Sequence, residues 1–141
     1  MATLERAIEL AVQAHRGQMD KAGRPYILHP LHLMQQFEDQ EAMIVAVLHD
    51  SVEDSDLTLE TLAREGFSSN ILAAVDAITH REGEAYNDYI KRVQTHPIAR
   101  LVKLADLEHN MDVRRMSKVH DRDLARLDKY HKTWQQLKER A

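Results

Sequence analysis

Residues 42 to 48, AMIVAVL, run directly into the acidic segment HDSVED at 49 to 54. Seven consecutive apolar residues cannot lie on a surface. If they form a helix, it is apolar all round and must be the inner member of a group of helices. The flanks favour helix, since no stretch of period-two alternation with β-branched enrichment occurs anywhere in the chain. The segment therefore predicts one buried central helix from Glu41 to about Asp54, with an acidic end.

The rest of the chain supplies partners for that helix. Leu4, Ala7, Ile8, Ala11 and Val12 recur at helical spacing, and the pattern stops at a loop over Gly17 to Pro30. Pro30 suits the first turn of a short helix to about Phe37. Thr58 caps a helix ending at Gly66, and Ser68 or Ser69 caps the next, with Ile71, Leu72, Val75 and Ile78 as its buried stripe. Beyond a polar break at His80 to Glu84, one helix carries Tyr86, Tyr89, Ile90 and Val93. Another starts at Pro97 and runs through Ala105, and a last one carries Leu124, Leu127, Trp134 and Leu137. These elements predict an all-α fold, a compact helical bundle forming a single domain over residues 1–141.

Composition narrows the function classes. The chain has no Cys, so any metal must be held by nitrogen and oxygen donors, and a cytoplasmic protein is the simplest expectation. Its longest apolar run falls far short of the roughly 20 residues that cross a bilayer, so no membrane partner is expected. A net charge of −4 gives no general attraction to nucleic acid. A homo-oligomer is compatible with the sequence. The nine His are the unusual count, and histidine is the commonest metal ligand.

On a continuous helix His49, Asp50, Glu53 and Asp54 would stand at about 0°, 100°, 40° and 140°, all on one face. Three carboxylates there repel one another and face the negative end of the helix dipole, so something cationic should compensate. A solvated acidic end neutralised by Lys or Arg is the alternative. The His-Asp pair itself is weak evidence, because it recurs at His120-Asp121, where Asp121 reads as an N-cap. Two other segments offer donors. His29 sits at a loop corner between two prolines, and Asp106 follows the apolar run LVKLA with Asn110 one turn on. His29 alone could be a hydrogen-bonded corner residue, and Asp106 could pair with Lys103 or Arg114. Together the two imidazoles and two carboxylates form a mixed set suited to Mn²⁺, Fe²⁺ or Zn²⁺. His15 reads as a local hydrogen-bonding residue. His32, His80, His96, His109 and His131 show no converging partner, and Trp134 reads as core or interface.

Four ordered motifs carry a resemblance: HRGQ at 15 to 18, KAGRPYILHP at 21 to 30, LHDSVED at 48 to 54 and VKLADLEHNM at 102 to 111. They resemble the HD hydrolase domain of the RelA/SpoT family over about Leu4 to Met116, at a size similar to the stand-alone small alarmone hydrolases of the Mesh1 type. The resemblance implies an HD-type metal-dependent phosphohydrolase that removes the 3′-pyrophosphate of (p)ppGpp. It makes His29, His49, Asp50 and Asp106 the ligands of a Mn²⁺-type ion, and Glu53 and Asp54 the catalytic pair. It also implies substrate contacts from Asn110 and Thr79, with Lys21, Arg24 and Lys103 balancing phosphate charge, Lys103 alternatively orienting Asp106. The partner is then a small phosphorylated nucleotide.

One departure bears on the base. The family has Arg-Lys where this chain has Asp20-Lys21, and an aspartate cannot stack on a purine as that Arg does. Arg24 could substitute, or the substrate could be another phosphorylated nucleotide: ppApp, NADPH or a nucleoside monophosphate. A non-catalytic nucleotide-binding or antitoxin-like module is the remaining reading, and the intact Glu53-Asp54 pair argues against it.

Overall fold

A computed structural model describes residues 2–139. Its helices are α1 (Leu4–His15), α2 (Leu28–Met34), α3 (Gln40–Leu48), α4 (Ser51–Asp54), α5 (Leu59–Glu65), α6 (Ser69–Ile78), α7 (Tyr86–Gln94), α8 (Pro97–Asn110) and α9 (Asp121–Glu139), with a 3-10 turn at Val113–Arg115. The described residues form no strand, only an isolated bridge between Met19 and Pro25. None of their helices is long and apolar enough to cross a membrane.

The apolar run does lie at the centre. Ala42 and Ile44 to Leu48 are all buried in α3, which packs against α1, α2, α6 and α8. The four neighbours present their apolar stripes to it, including Ala7 and Leu10, Leu33, Val75 and Ile78, and Val102 and Leu107. Local chemistry sets the boundaries. Thr3, Asp39, Thr58 and Ser68 each accept a first-turn backbone N–H, and Gly66 ends α5 at φ 97°, in the left-handed region.

Three boundaries differ from the sequence reading. The central helix does not run to Asp54: α3 stops at Leu48, Asp50 takes φ −104° and ψ −2°, and α4 restarts at Ser51. The break has a local cause, because both the backbone N–H and the ring Nδ1 of His49 turn back to the Ala46 carbonyl. α2 begins two residues before Pro30 and stops at Met34, still leaving the proline in the first turn, where its missing N–H costs nothing. Asp121 is not a cap but the first residue of α9, and Asp123 accepts the His120 N–H at 2.9 Å instead.

Arg92 closes the end of α6. Its Nη1 donates to the carbonyls of Asp76 and Ala77 at 2.7 and 3.0 Å, while Nη2 reaches the Thr79 carbonyl at 3.0 Å and the Glu84 carboxylate. Helix-end carbonyls buried without donors carry a desolvation cost. Arg92→Ala should therefore destabilise the fold by about 2–3 kcal/mol, read as a lowered midpoint in urea, and Arg92→Lys should recover only part of that loss.

Candidate metal centre and active site

Three elements meet at one point. His29 comes from α2, His49 and Asp50 from the break after α3, and Asp106 from α8. One donor atom from each lies within 4.8 Å of all the others, so the sequence-predicted quartet is brought together as a group that could hold a metal ion. Within it His29 Nε2 stands 2.8 Å from Asp106 Oδ1, and His49 Nε2 stands 3.0 Å from Asp50 Oδ2 and 3.4 Å from Asp106 Oδ1. His29, His49 and Asp106 are buried, and Asp50 is half-buried.

The donor set fits a divalent cation. His49 Nδ1 lies 2.7 Å from the Ala46 carbonyl, which can only accept, so that nitrogen carries the hydrogen and leaves a lone pair on Nε2 of the neutral ring. Nε2 is buried and has no hydrogen-bond partner despite the nearby oxygens: they are close but not aligned. A lone pair and two carboxylates converging in a buried pocket call for positive charge. The residues alone answer with protons. Burial opposes charge on His49, but Asp50 and Asp106 overcome it and hold the imidazole well above its ordinary value. Burial likewise opposes ionisation of Asp50, and the His49 charge still brings that carboxyl down to about 2. For Asp106 burial is outweighed by Lys103 and the two imidazoles, which keep it well below the usual carboxylate range.

The quartet is braced from outside. Lys103 Nζ donates to Asp106 Oδ2 at 2.9 Å, and Asn110 Nδ2 donates to Asp106 Oδ1 at 3.1 Å. The Tyr26 hydroxyl donates to Asp50 Oδ2. His29 Nδ1 lies 2.7 Å from His109 Nδ1, and the His32 ring stacks on His109 with centroids 3.9 Å apart. Burial, then Arg115 and the two neighbouring imidazoles, push His109 down to about 3. A neutral His109 can accept the His29 Nδ1–H, which leaves His29 Nε2 as the donor toward a metal. His32 and His109 thus do have partners, contrary to the sequence reading. One lies three residues after His29 and the other three after Asp106, a helical spacing that was the available signal.

Glu53 and Asp54 lie on α4, three and four residues after Asp50. Glu53 Oε1 accepts the His80 N–H at 2.7 Å, and Asp54 Oδ2 lies 3.4 Å from Gln18 Nε2. Partial burial raises Glu53 against the opposing His80 bond, and Asp50 and Asp54 add to the rise. Burial and then Asp50 raise Asp54. Both remain exposed to solvent.

A cleft of about 390 Å³ is lined by Gln18, Lys21, Tyr26, Asn110, Arg115 and Tyr130 among others. Of the sequence-predicted substrate residues, Lys21 and Asn110 line it; Arg24, Thr79 and Lys103 do not. Arg24 is exposed on the loop, the Thr79 hydroxyl is spent on the Val75 carbonyl at 2.7 Å, and Lys103 is committed to Asp106. Asp20 lines the cleft too, with Oδ1 accepting the Ala22 and Arg24 N–H groups at 2.9 Å each, so the carboxylate shapes its own loop. Sequence reasoning missed Arg115. Its Nη1 donates to the His109 carbonyl at 2.9 Å and to Asn110 Oδ1 at 3.3 Å, which aims a guanidinium into the cleft 3.9 Å from Asp20. It belongs to a short turn without periodicity, and no sequence signal marked it.

No family model matches the chain. Curated relatives do: a guanosine-3′,5′-bis(diphosphate) 3′-pyrophosphohydrolase of Haemophilus influenzae is 36% identical over 118 residues, 72% of this chain and 17% of that protein. One of the same name from Aquifex aeolicus is 32% identical over 120 residues, 77% of this chain and 17% of that protein. A probable GTP pyrophosphokinase of Mycobacterium leprae is 35% identical over 124 residues, 79% of this chain and 16% of that protein. The chain thus spans about a sixth of the length of these relatives. Its fold matches the solved structure of a metazoan ortholog of SpoT that hydrolyses ppGpp, with TM-score 0.79 and 21% identity over 97% of this chain and 85% of that one. The chain is an HD-type domain of the RelA/SpoT family.

Because His49 holds a proton that a metal must displace, binding of Mn²⁺, Fe²⁺ or Zn²⁺ should release protons near neutral pH and weaken as the pH falls. Calorimetry in buffers of different ionisation enthalpy reads that release. Saturating metal at a hundred times Kd should also add about 2.7 kcal/mol of stability. His49→Ala and Asp106→Asn should lose both effects.

Proposed function

We propose that this chain is a metal-dependent nucleotide phosphohydrolase, most specifically a (p)ppGpp-type 3′-pyrophosphohydrolase. The observation that carries the proposal is a His₂Asp₂ quartet tied to a cleft that presents Lys21, Asn110 and Arg115: the lining residues Tyr26 and Asn110 donate to Asp50 and Asp106, and Gln18 donates to Asp54 of the exposed Glu53-Asp54 pair. The relatives' names support it, as does the metazoan ortholog's hydrolysis of ppGpp.

When bound, a Mn²⁺-type divalent ion held by His29, His49, Asp50 and Asp106 would supply Lewis-acid polarisation of a phosphate oxygen and lower the pKa of water. The protein's own groups do the rest. Glu53, fixed by the His80 N–H and assisted by Asp54, takes the proton of the attacking water. The water oxygen forms a bond to the phosphorus on the nucleoside 3′-oxygen. The bond from that phosphorus to the 3′-oxygen breaks, the 3′-oxygen leaves and takes a proton, and pyrophosphate is released. Lys21 and Arg115 balance charge on the transferred group, and Asn110, tied on one side to Asp106 and on the other to Arg115, sets the distance between nucleotide and quartet.

Metal-loaded protein incubated with ppGpp, ppApp, NADPH and nucleoside monophosphates should release pyrophosphate from the first or second. Pyrophosphate from neither overturns the proposal. Glu53→Gln should lower kcat by about 10²–10⁴-fold. Because Glu53 titrates above its ordinary range, wild-type kcat/KM should fall as the pH drops through that raised value, and the residual activity of Glu53→Gln should lack this acidic limb. Equal activity of the two proteins would remove Glu53 from the mechanism.

A further inference from the structure

The proposed chemistry uses no residue of the HRGQ motif at 15 to 18, yet the motif is built as one hydrogen-bonded unit. Arg16 at φ −58°, ψ 126° and Gly17 at φ 80° make a type II turn, which returns the Gln18 N–H to the His15 carbonyl at 3.0 Å. A Cβ added at Gly17 would meet nothing within 4 Å, so the glycine serves its left-handed backbone and not a lack of space. The turn also brings the outer side chains together, with His15 Nδ1 2.9 Å from Gln18 Oε1.

Gln18 in turn reaches two parts of the site. Its carbonyl accepts the Tyr26 N–H at 2.8 Å, and the Tyr26 hydroxyl donates to Asp50 of the quartet. Its Nε2 donates to Asp54 Oδ2 at 3.4 Å. A carboxylate only accepts, so the amide nitrogen must face Asp54. The amide oxygen then faces His15, whose Nδ1 must carry the hydrogen. The reverse orientation would set a carbonyl dipole against the carboxylate. His15 selects against it at a cost, because the ring is 2% exposed and its Nε2 is buried with no hydrogen-bond partner among the described residues. An apolar residue would fill the same space without an unpaired nitrogen. What the imidazole adds is a donor for Gln18 Oε1.

Resting on the hydrolase reading, we infer that His15 and Gln18 are positioning residues that hold Asp54 in register with Asp50. The Gln18 backbone fixes Tyr26 and through it Asp50, and the Gln18 amide, oriented by His15, fixes Asp54. The turn thereby sets the spacing between the metal quartet and the catalytic pair across the break at His49.

The test is a double-mutant cycle on the metal-loaded full chain, with ppGpp or ppApp, whichever is hydrolysed. Gln18→Ala should lower kcat by about 10–100-fold, the worth of one hydrogen bond to a charged group, with KM within about twofold of wild type. In an Asp54→Asn background the same substitution should have little further effect, because Gln18 acts through Asp54. His15→Leu should reproduce the kcat loss, and His15→Asn, whose amide N–H can stand where the Nδ1–H stood, should recover most of it. Gln18 is half-buried on a loop, so the cycle at that position does not depend on how His15 variants fold. Additive losses in the cycle, a raised KM in place of the lowered kcat, or an unchanged kcat in Gln18→Ala overturns the positioning role and leaves the hydrolase reading standing. So does a hydrogen on Nε2 rather than Nδ1 of His15 in long-range proton–nitrogen spectra of the metal-free protein. Turnover of neither nucleotide by wild type overturns the hydrolase reading and the positioning role with it.

Discussion

Asp106 is the carboxylate on which the site depends. It is buried on α8, and a buried carboxylate survives only if its lone pairs are met. Here Lys103 and Asn110 on its own helix donate to them, and Nε2 of His29 from α2 and of His49 from the end of α3 stand 2.8 and 3.4 Å away. The interaction therefore ties three helices at one point, and the same contacts that neutralise the charge also aim two imidazoles at it. Removing Lys103 would take the fixed cation off a buried carboxylate and leave that charge poorly compensated.

The break after α3 follows from the same demands. A continuous helix would hold the carboxylates of Asp50, Glu53 and Asp54 on one face at the negative end of the helix dipole. Turning the chain at His49 separates the two acidic groups by task. His49 stays buried near Asp106 with Asp50 half-buried beside it, while Glu53 and Asp54 restart on α4 at the solvent edge. The Ala46 carbonyl, freed by that turn, fixes the tautomer of His49.

Charge on the cleft is similarly apportioned. The carboxylates that line it are not free to repel an anion: Asp20 holds backbone amides of its loop, Asp112 holds Arg114 and Asp123 caps the start of α9. The cations are less engaged. A protein of net negative charge can in this way present a cationic surface where phosphate must bind, without a basic composition.

Much of this was legible in the sequence, for reasons that are local. An apolar heptamer has to be buried, caps and prolines mark helix starts wherever they occur, and ordered motifs containing His29, His49, Asp50 and Asp106 name the donors before their positions are known. Most of what the sequence could not decide depends on neighbours far along the chain, and the break at His49, made through the Ala46 carbonyl, is the local exception. The helical angles placing His49 to Asp54 on one face assumed a continuous helix, and the Ala46 carbonyl overrode it. Arg115 carries no periodic signal, and it and His109 matter only because α8 and the turn after it pass beside α2 and the loop holding Asp20. Arg24 looked equivalent to Lys21 in one dimension, and the turn made by Asp20 left one in the cleft and the other in solvent. Residue types set which chemistry was available, and tertiary packing decided which of those residues could touch, because burial and electrostatic pairing act through space and not along the chain.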